Sequence, residues 1–161
     1  MIQNPPGIPP MSYFYSGDGS KKTFTGDMES RTMSIVRPNS GESDQRQITF
    51  RQYLDFIRRF LLSRWGDFIE VLEQNIGETV ESVSEIEIVA EKSGSDFHPA
   101  SVRFKLNNRP MVLVANVAVN SRGRSCLSQD FELMSYFHKM GNGNFVPRPF
   151  LISSPSELAE A

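Results

Sequence analysis

The hydrophobic period of this chain changes once, near Val83, and that change bounds the folds open to it. Between Thr49 and Ile76, apolar residues recur at three- and four-residue spacings; from Val83 to Val119 they alternate with polar residues or run together. A repeat of 3.6 places side chains on one stripe of a helix, and a repeat of two places them on one face of a strand. A helical segment joined to a sheet follows, so the expected fold class is α+β.

Thr49 opens the helical segment. With Gln52 three residues on, it makes a capping-box pattern, the hydroxyl accepting from an orphan amide while the glutamine reaches back. Phe50, Tyr53, Leu54, Ile57, Phe60 and Leu61 then form one stripe. Asp67 with Glu70 repeats the start signal, Phe68, Ile69, Leu72 and Ile76 continue the stripe, and Gly77 offers the left-handed conformation that ends a helix. The spacing predicts two helices over residues 49–77, or one bent near Trp65-Gly66.

Beyond Val83, Ile86 and Ile88 alternate with Glu85, Glu87 and Glu91, and Val102, Phe104 and Leu106 alternate with Ser101, Arg103 and Lys105, as in strands with one wet face. Asn107-Asn108 accepts positive φ and predicts a tight hairpin into a third strand over residues 111–119. That strand is apolar except at Asn116, so it is expected at the centre of the sheet with both faces covered. A helix carrying Leu127, Phe131, Met134, Phe137 and Met140 on one side and ending at Gly141 is expected to cover it. "FVPRPFLI" then suggests a short edge strand, where proline's missing donor is tolerated. The expected architecture is a small antiparallel sheet with a covering helix, preceded by one or two helices.

A length of 161 residues suits one ordinary domain. Residues 1–22, with four prolines in the first ten positions, are expected to be a flexible arm whose Tyr13, Phe14 and Tyr15 dock on the chain's own surface. Residues 23–48 read as a short irregular or extended segment, alternating over Thr32–Val36 and looping through "RPNSGESDQRQ"; residues 153–161 read as a tail. Lys and Arg number 17 against 19 Asp and Glu, interspersed, so no basic field exists to grip a phosphodiester backbone and no nucleic acid partner is expected. No apolar run approaches the ~18 residues of a membrane helix, and the amino terminus lacks the basic start and apolar core of a secretory signal. No membrane partner is expected, and the lone Cys126 points to a reducing, cytoplasmic location.

His98, His138 and Cys126 show no metal-ligand spacing, so no metal site is expected. Cys126 reads as a small buried hydrophobe before a nucleophile, because His138 lies several helical turns away. Arg51, Arg58 and Arg59 read as a solvated face before an anion patch. "EKSGSD", residues 91–96, sets a glycine between two serines, a composition suited to phosphate and equally to an ordinary hairpin loop.

Hairpin strands joined by this loop, a third strand, then "SQDFELMSYFHKMGNGNFVPRPF" form a succession that resembles the amino-terminal lobe of the protein-kinase-like fold, in its aminoglycoside phosphotransferase and choline kinase branch. The resemblance spans residues 84–152. It implies that Ser93, Gly94 and Ser95 cover nucleotide phosphates, that the family's helix glutamate falls on Asp130, and that its phosphate-binding lysine falls at or near Asn116. A helical projection sets Asp130 among Phe131, Met134 and Phe137, where a carboxylate wants a donor. Asn116 is expected to supply it, or else to be a buried amide satisfied by backbone groups.

An amide lacks lysine's charge, so Lys92 or Lys105 would have to neutralise phosphates instead. The family's base and metal-binding aspartates lie in a carboxy-terminal lobe that these residues do not reach. The resemblance thus implies no catalytic residue here and no activity from this chain unaided, with ATP and magnesium bound only alongside a second lobe. The alternative is a non-catalytic protein–protein interaction module in which the helices and the aromatic arm dock a partner protein.

Overall fold

The computed structural model describes residues 7–15, 29, 31–36, 45–91, 96–141, 143 and 146–150. In chain order the elements are β1 (Met11–Tyr15), β2 (Thr32–Val36), β3 (Gln45–Thr49), α1 (Phe50–Ser63), α2 (Trp65–Ile76), β4 (Val83–Ala90), β5 (Phe97–Leu106), β6 (Arg109–Ala118) and α3 (Ser121–Lys139). The fold is α+β.

α1 starts where its capping box requires. The Thr49 hydroxyl accepts from Gln52 N at 3.1 Å, and the Gln52 side chain accepts from Thr49 N at 2.8 Å. Such a cap is worth about 1 kcal/mol, because it satisfies amides that have no partner inside the helix. Phe50, Tyr53, Leu54, Ile57 and Leu61 are buried as the stripe predicts. α2 follows a break at Arg64 and begins two residues before Asp67; the carboxylate pairs with the Arg64 guanidinium at 2.8 Å rather than capping. Gly77 ends α2 with φ 71°.

The main sheet has the order β1-β4-β5-β6. β4, β5 and β6 form an antiparallel meander, while β1 joins β4 in parallel, Met11 opposite Ile86 and Tyr15 opposite Ala90. The sheet is therefore mixed. A parallel neighbour needs a long crossover, and everything from β2 to α2 supplies it. Asn107 and Asn108 both take positive φ, 49° and 65°, as a two-residue hairpin demands. Asn107 also accepts from Glu81 N at 2.7 Å and Ser82 N at 3.0 Å and donates to Thr79 O at 2.9 Å, tying the α2–β4 connection to the hairpin.

The core lies between one face of this sheet and the helices α1 and α2. Ile86, Ile88, Ala100, Val102, Phe104 and Leu106 meet Tyr53, Leu54, Ile57, Phe68 and Leu72 there. Phe68 stands nearly edge-on to Phe104, ring centroids 5.9 Å apart. β2 and β3 form a separate antiparallel pair that contributes Met33, Ile35 and Ile48 to the core. Val36 N donates to Val119 O, and Arg124 Nη1 to Val36 O, each at 2.8 Å, joining this pair to the end of β6 and the start of α3.

Several expectations change. Met11–Tyr15, expected in a flexible arm, is a strand of the main sheet. Residues 45–47, expected in a loop, open β3. Residues 146–150 form no strand. Most consequentially, among the described strands β6 lies at an edge and not at the centre. Met111, Leu113, Ala115 and Val117 lie toward the core, but Val112 is 58% and Val114 67% exposed. α3 does not cover them. Its buried residue is Gly123, in the first turn, where a Cβ would stand 2.1 Å from the Asp96 carbonyl oxygen. Further along α3, Leu133 and Tyr136 are more than half exposed, as is Met140 at its end.

Candidate functional site

Of the residues that sequence reasoning proposed for a ligand, Ser93, Gly94 and Ser95 lie outside the described residues, as does Lys92. Asn116 and Asp130 are both exposed. The expected buried contact between them is therefore corrected: each group is solvated where it stands, and neither needs the other. The reason is the place of β6. Along an edge strand whose other face is open, Asn116 falls in phase with Val112 and Val114 on the wet side. Asp130 lies beyond the first turn of α3, where that helix meets the sheet. Lys105, the substitute cation, pairs with Glu85 at 3.1 Å. Glu85 sits in a register shift of β4 with φ 55°.

The polar groups that the fold does gather lie on β1, α1 and the start of β5. Tyr13, on the core-facing side of β1, donates its hydroxyl to Asp55 Oδ1 of α1 at 2.6 Å. Burial pushes this phenol well above its ordinary range, and the hydrogen bond to the Asp55 carboxylate, with that group's charge, pushes the same way. Two residues on, Tyr15 packs against Phe50, with ring centroids 5.6 Å apart, and carries the Arg31 guanidinium 4.5 Å above its own ring.

Tyr53 and His98 form the buried end of this cluster. Tyr53 is fully buried and donates to the His98 carbonyl at 2.6 Å, while its ring meets the imidazole edge-on with centroids 4.8 Å apart. Phe50 closes the other side of the imidazole at 5.2 Å. His98 is 1% exposed, and its Nε2 has no hydrogen-bond partner among the described residues. Burial pushes the imidazole below its ordinary value and the Tyr53 phenol above its own. All three groups, Tyr13, Tyr53 and His98, therefore stay neutral around neutral pH. The arrangement ties β1 and the start of β5 to α1.

Other candidates carry little chemistry. Among the described residues, no three His, Cys, Asp or Glu side chains group closely enough to hold a metal ion. His138, whose Nε2 lies 2.9 Å from Val146 O, stands about 18 Å from Cys126 along the helix at 1.5 Å per residue. An open depression is lined by Glu78, Thr79, Glu81, Asn107 and Arg109, and Glu78 already pairs with the Arg109 guanidinium. In the arginine row of α1, Arg51 pairs with Glu29.

Against known proteins, the chain matches no family model, no curated protein and no solved structure. Among the described residues, no helix is long and apolar enough to cross a membrane. Among the described residues, the large apolar side chains left exposed are Val112 and Val114 on β6, Leu133 and Tyr136 on α3, and Met140 at the end of that helix. No described strand pairs with the outer edge of β6.

The Tyr13–Asp55 and Tyr53–His98 contacts escaped sequence reasoning because their partners are 42 and 45 residues apart. Two signals pointed toward them. Met11, Tyr13 and Tyr15 have a period of two, and Tyr53 brings a polar tip into an otherwise apolar stripe.

Proposed function

We propose that this chain is a non-catalytic interaction module that pairs through the free edge of β6 with the β6 of a second copy. One observation carries the proposal: a ten-residue strand ends the sheet with no described strand beyond it, and Val112 and Val114 stand on its open face. Natural edge strands are usually blunted by charge or covered, yet residues 111–118 carry no charged side chain. Antiparallel pairing about Val114 would set Val112 opposite Asn116 and Arg109 opposite Val119, so no like charges meet across a two-fold axis. The α1 and α2 stripes and Met11, Tyr13 and Tyr15 of the aromatic arm, which a module docking through its helices and arm would need on the surface, are engaged within the chain. The lone Cys126 fits a reducing cytoplasm.

Sedimentation velocity over a rising micromolar concentration series tests this. The chain is expected to pass from monomer to dimer, and Val114→Lys, which puts a charge on the paired face, to remain monomeric with an unchanged melting temperature. A wild-type chain that stays monomeric throughout overturns the proposal.

A second reading keeps the kinase-like lobe, which with a second lobe would contribute to a nucleotide or phosphate-ligand cleft. The succession β4, β5, β6, α3 supports it. Ser93, Gly94 and Ser95 would approach the phosphates, and Asn116 and Asp130 would line an open wall. A rise in melting temperature with ATP and magnesium is expected under this reading. Its absence, both here and in a longer chain with a second lobe, removes the reading.

A further inference from the structure

The opposite edge of the sheet shows a different kind of site. β4 carries its core contacts through Ile86, Ile88 and Ala90, all within 2% of full burial, against α1 and β5. β1 is added outside it. None of the five β1 residues is buried, Ser12 is exposed, and the strand is held by a five-residue parallel ladder together with side-chain contacts to α1. Among these contacts are the Tyr13 hydroxyl on Asp55 and Tyr15 between Phe50 and Arg31. Met11, Tyr13 and Tyr15 point inward at alternate positions, and each rests on the edge of the core.

We propose that the β4 edge and the adjoining flank of α1 form a strand-addition site for an extended aromatic segment, which Met11–Tyr15 occupies in cis. The chain's own strand shows what the site takes. Backbone pairing to β4 supplies affinity without sequence preference, and side chains at alternate positions supply selection. The partner this fits is an extended segment of a second protein with aromatic or large apolar residues two apart, the middle one carrying a hydroxyl. The carboxylate of Asp55 accepts a hydrogen bond from that donor, which a phenylalanine there would leave unmade. Tyr13 therefore distinguishes this site from a merely greasy edge. The proposal is independent of the pairing assigned to β6, which uses the other side of the sheet.

A fluorescently labelled peptide of residues 9–16, PPMSYFYS, added to the full chain tests it by anisotropy. Tyr13→Ala in the full chain loosens the cis strand while leaving Asp55 in place, so this variant is expected to bind the peptide at least about tenfold more tightly than wild type. The same peptide carrying Phe in place of its first tyrosine is expected to bind about tenfold more weakly, the loss of one charge-assisted hydrogen bond. Equal binding by wild type and variant, or none by a folded variant, overturns the proposal.

Hydrogen exchange on the wild-type chain gives a reading that does not depend on the variant folding. The amides that join β1 to β4 are expected to exchange at least about a hundredfold faster than those of Val102 and Phe104 in β5, because β1 opens alone. Equal protection would make β1 an integral strand and overturn the proposal as well.

Discussion

The main sheet ends differently on its two sides. At the β4 edge, the chain's own β1 pairs over five residues and reaches α1 through Tyr13 and Asp55. At the β6 edge, a strand twice as long, with valine at three of its ten positions, has no described neighbour beyond it. The better strand former is thus the less protected one. Burial follows the placement of α1 and α2, which sit over β4 and β5, and an apolar side chain beyond their reach stays wet however strongly it favours a strand. The helices differ in the same way. α1 buries five residues of its stripe, whereas α3, five residues longer, buries only Gly123.

The largest effect that sharpens this contrast is a pair of truncations. Leu72→Ala, beneath the centre of the sheet, is expected to cost about 2–5 kcal/mol, because the cavity adds to the lost transfer energy. Val114→Ala on the open face is expected to stay within about 0.5 kcal/mol. Urea unfolding of the two variants measures both. Comparable losses would mean that β6 is covered and that the contrast between the edges is false.

A smaller effect separates the two exposed and buried tyrosines. Tyr53→Phe removes the donor to the His98 carbonyl and is expected to cost about 1–3 kcal/mol, while Tyr136→Phe on the exposed side of α3 is expected to be neutral within about 0.5 kcal/mol. Thermal unfolding at one pH distinguishes them. Equal melting temperatures for all three chains would show that the aromatic cluster at the start of β5 adds no polar constraint.

The smallest expected effect is a dependence on pH. His98 is neutral in the fold, its imidazole pushed below the ordinary value by burial. The unfolded chain takes up a proton near pH 6.5, above the folded-state value, so below that point the unfolded state binds more protons and stability falls. The contribution is fully present above about pH 6.5 and is lost as the pH falls toward the folded-state value. His98→Leu is expected to flatten the fall in melting temperature between about pH 7 and pH 5. A slope identical to wild type would show that some other group carries the dependence.

Local signals were legible in the sequence where the interactions are local. The Thr49–Gln52 box, the Gly77 stop and the Asn107-Asn108 turn each concern residues within four positions of one another, and each forms as its residue types require. The alternation of β5 likewise marks which of its side chains are buried. Asn116 shows the limit. Its apolar surroundings suggested a strand covered on both faces, but the same letters suit an edge strand with one open face, and Pro110 near its start was the available cue for the latter. Asp130 failed for a related reason: a helical projection ranks the sides of a helix and does not say whether any side meets a neighbour.

The amino-acid sequence by itself determined where α1 begins, where α2 stops and where β5 turns into β6, because capping, turn chemistry and side-chain period act over a few residues. Tertiary structure alone decided which strand closes each edge of the sheet, which helices cover it, and that Tyr13 finds Asp55. Those outcomes join segments far apart in the chain, 42 residues for Tyr13 and Asp55 and farther for Met11 and Ile86, where the cost of closing the loop and the competition among apolar faces choose one pairing from many that the local pattern allows.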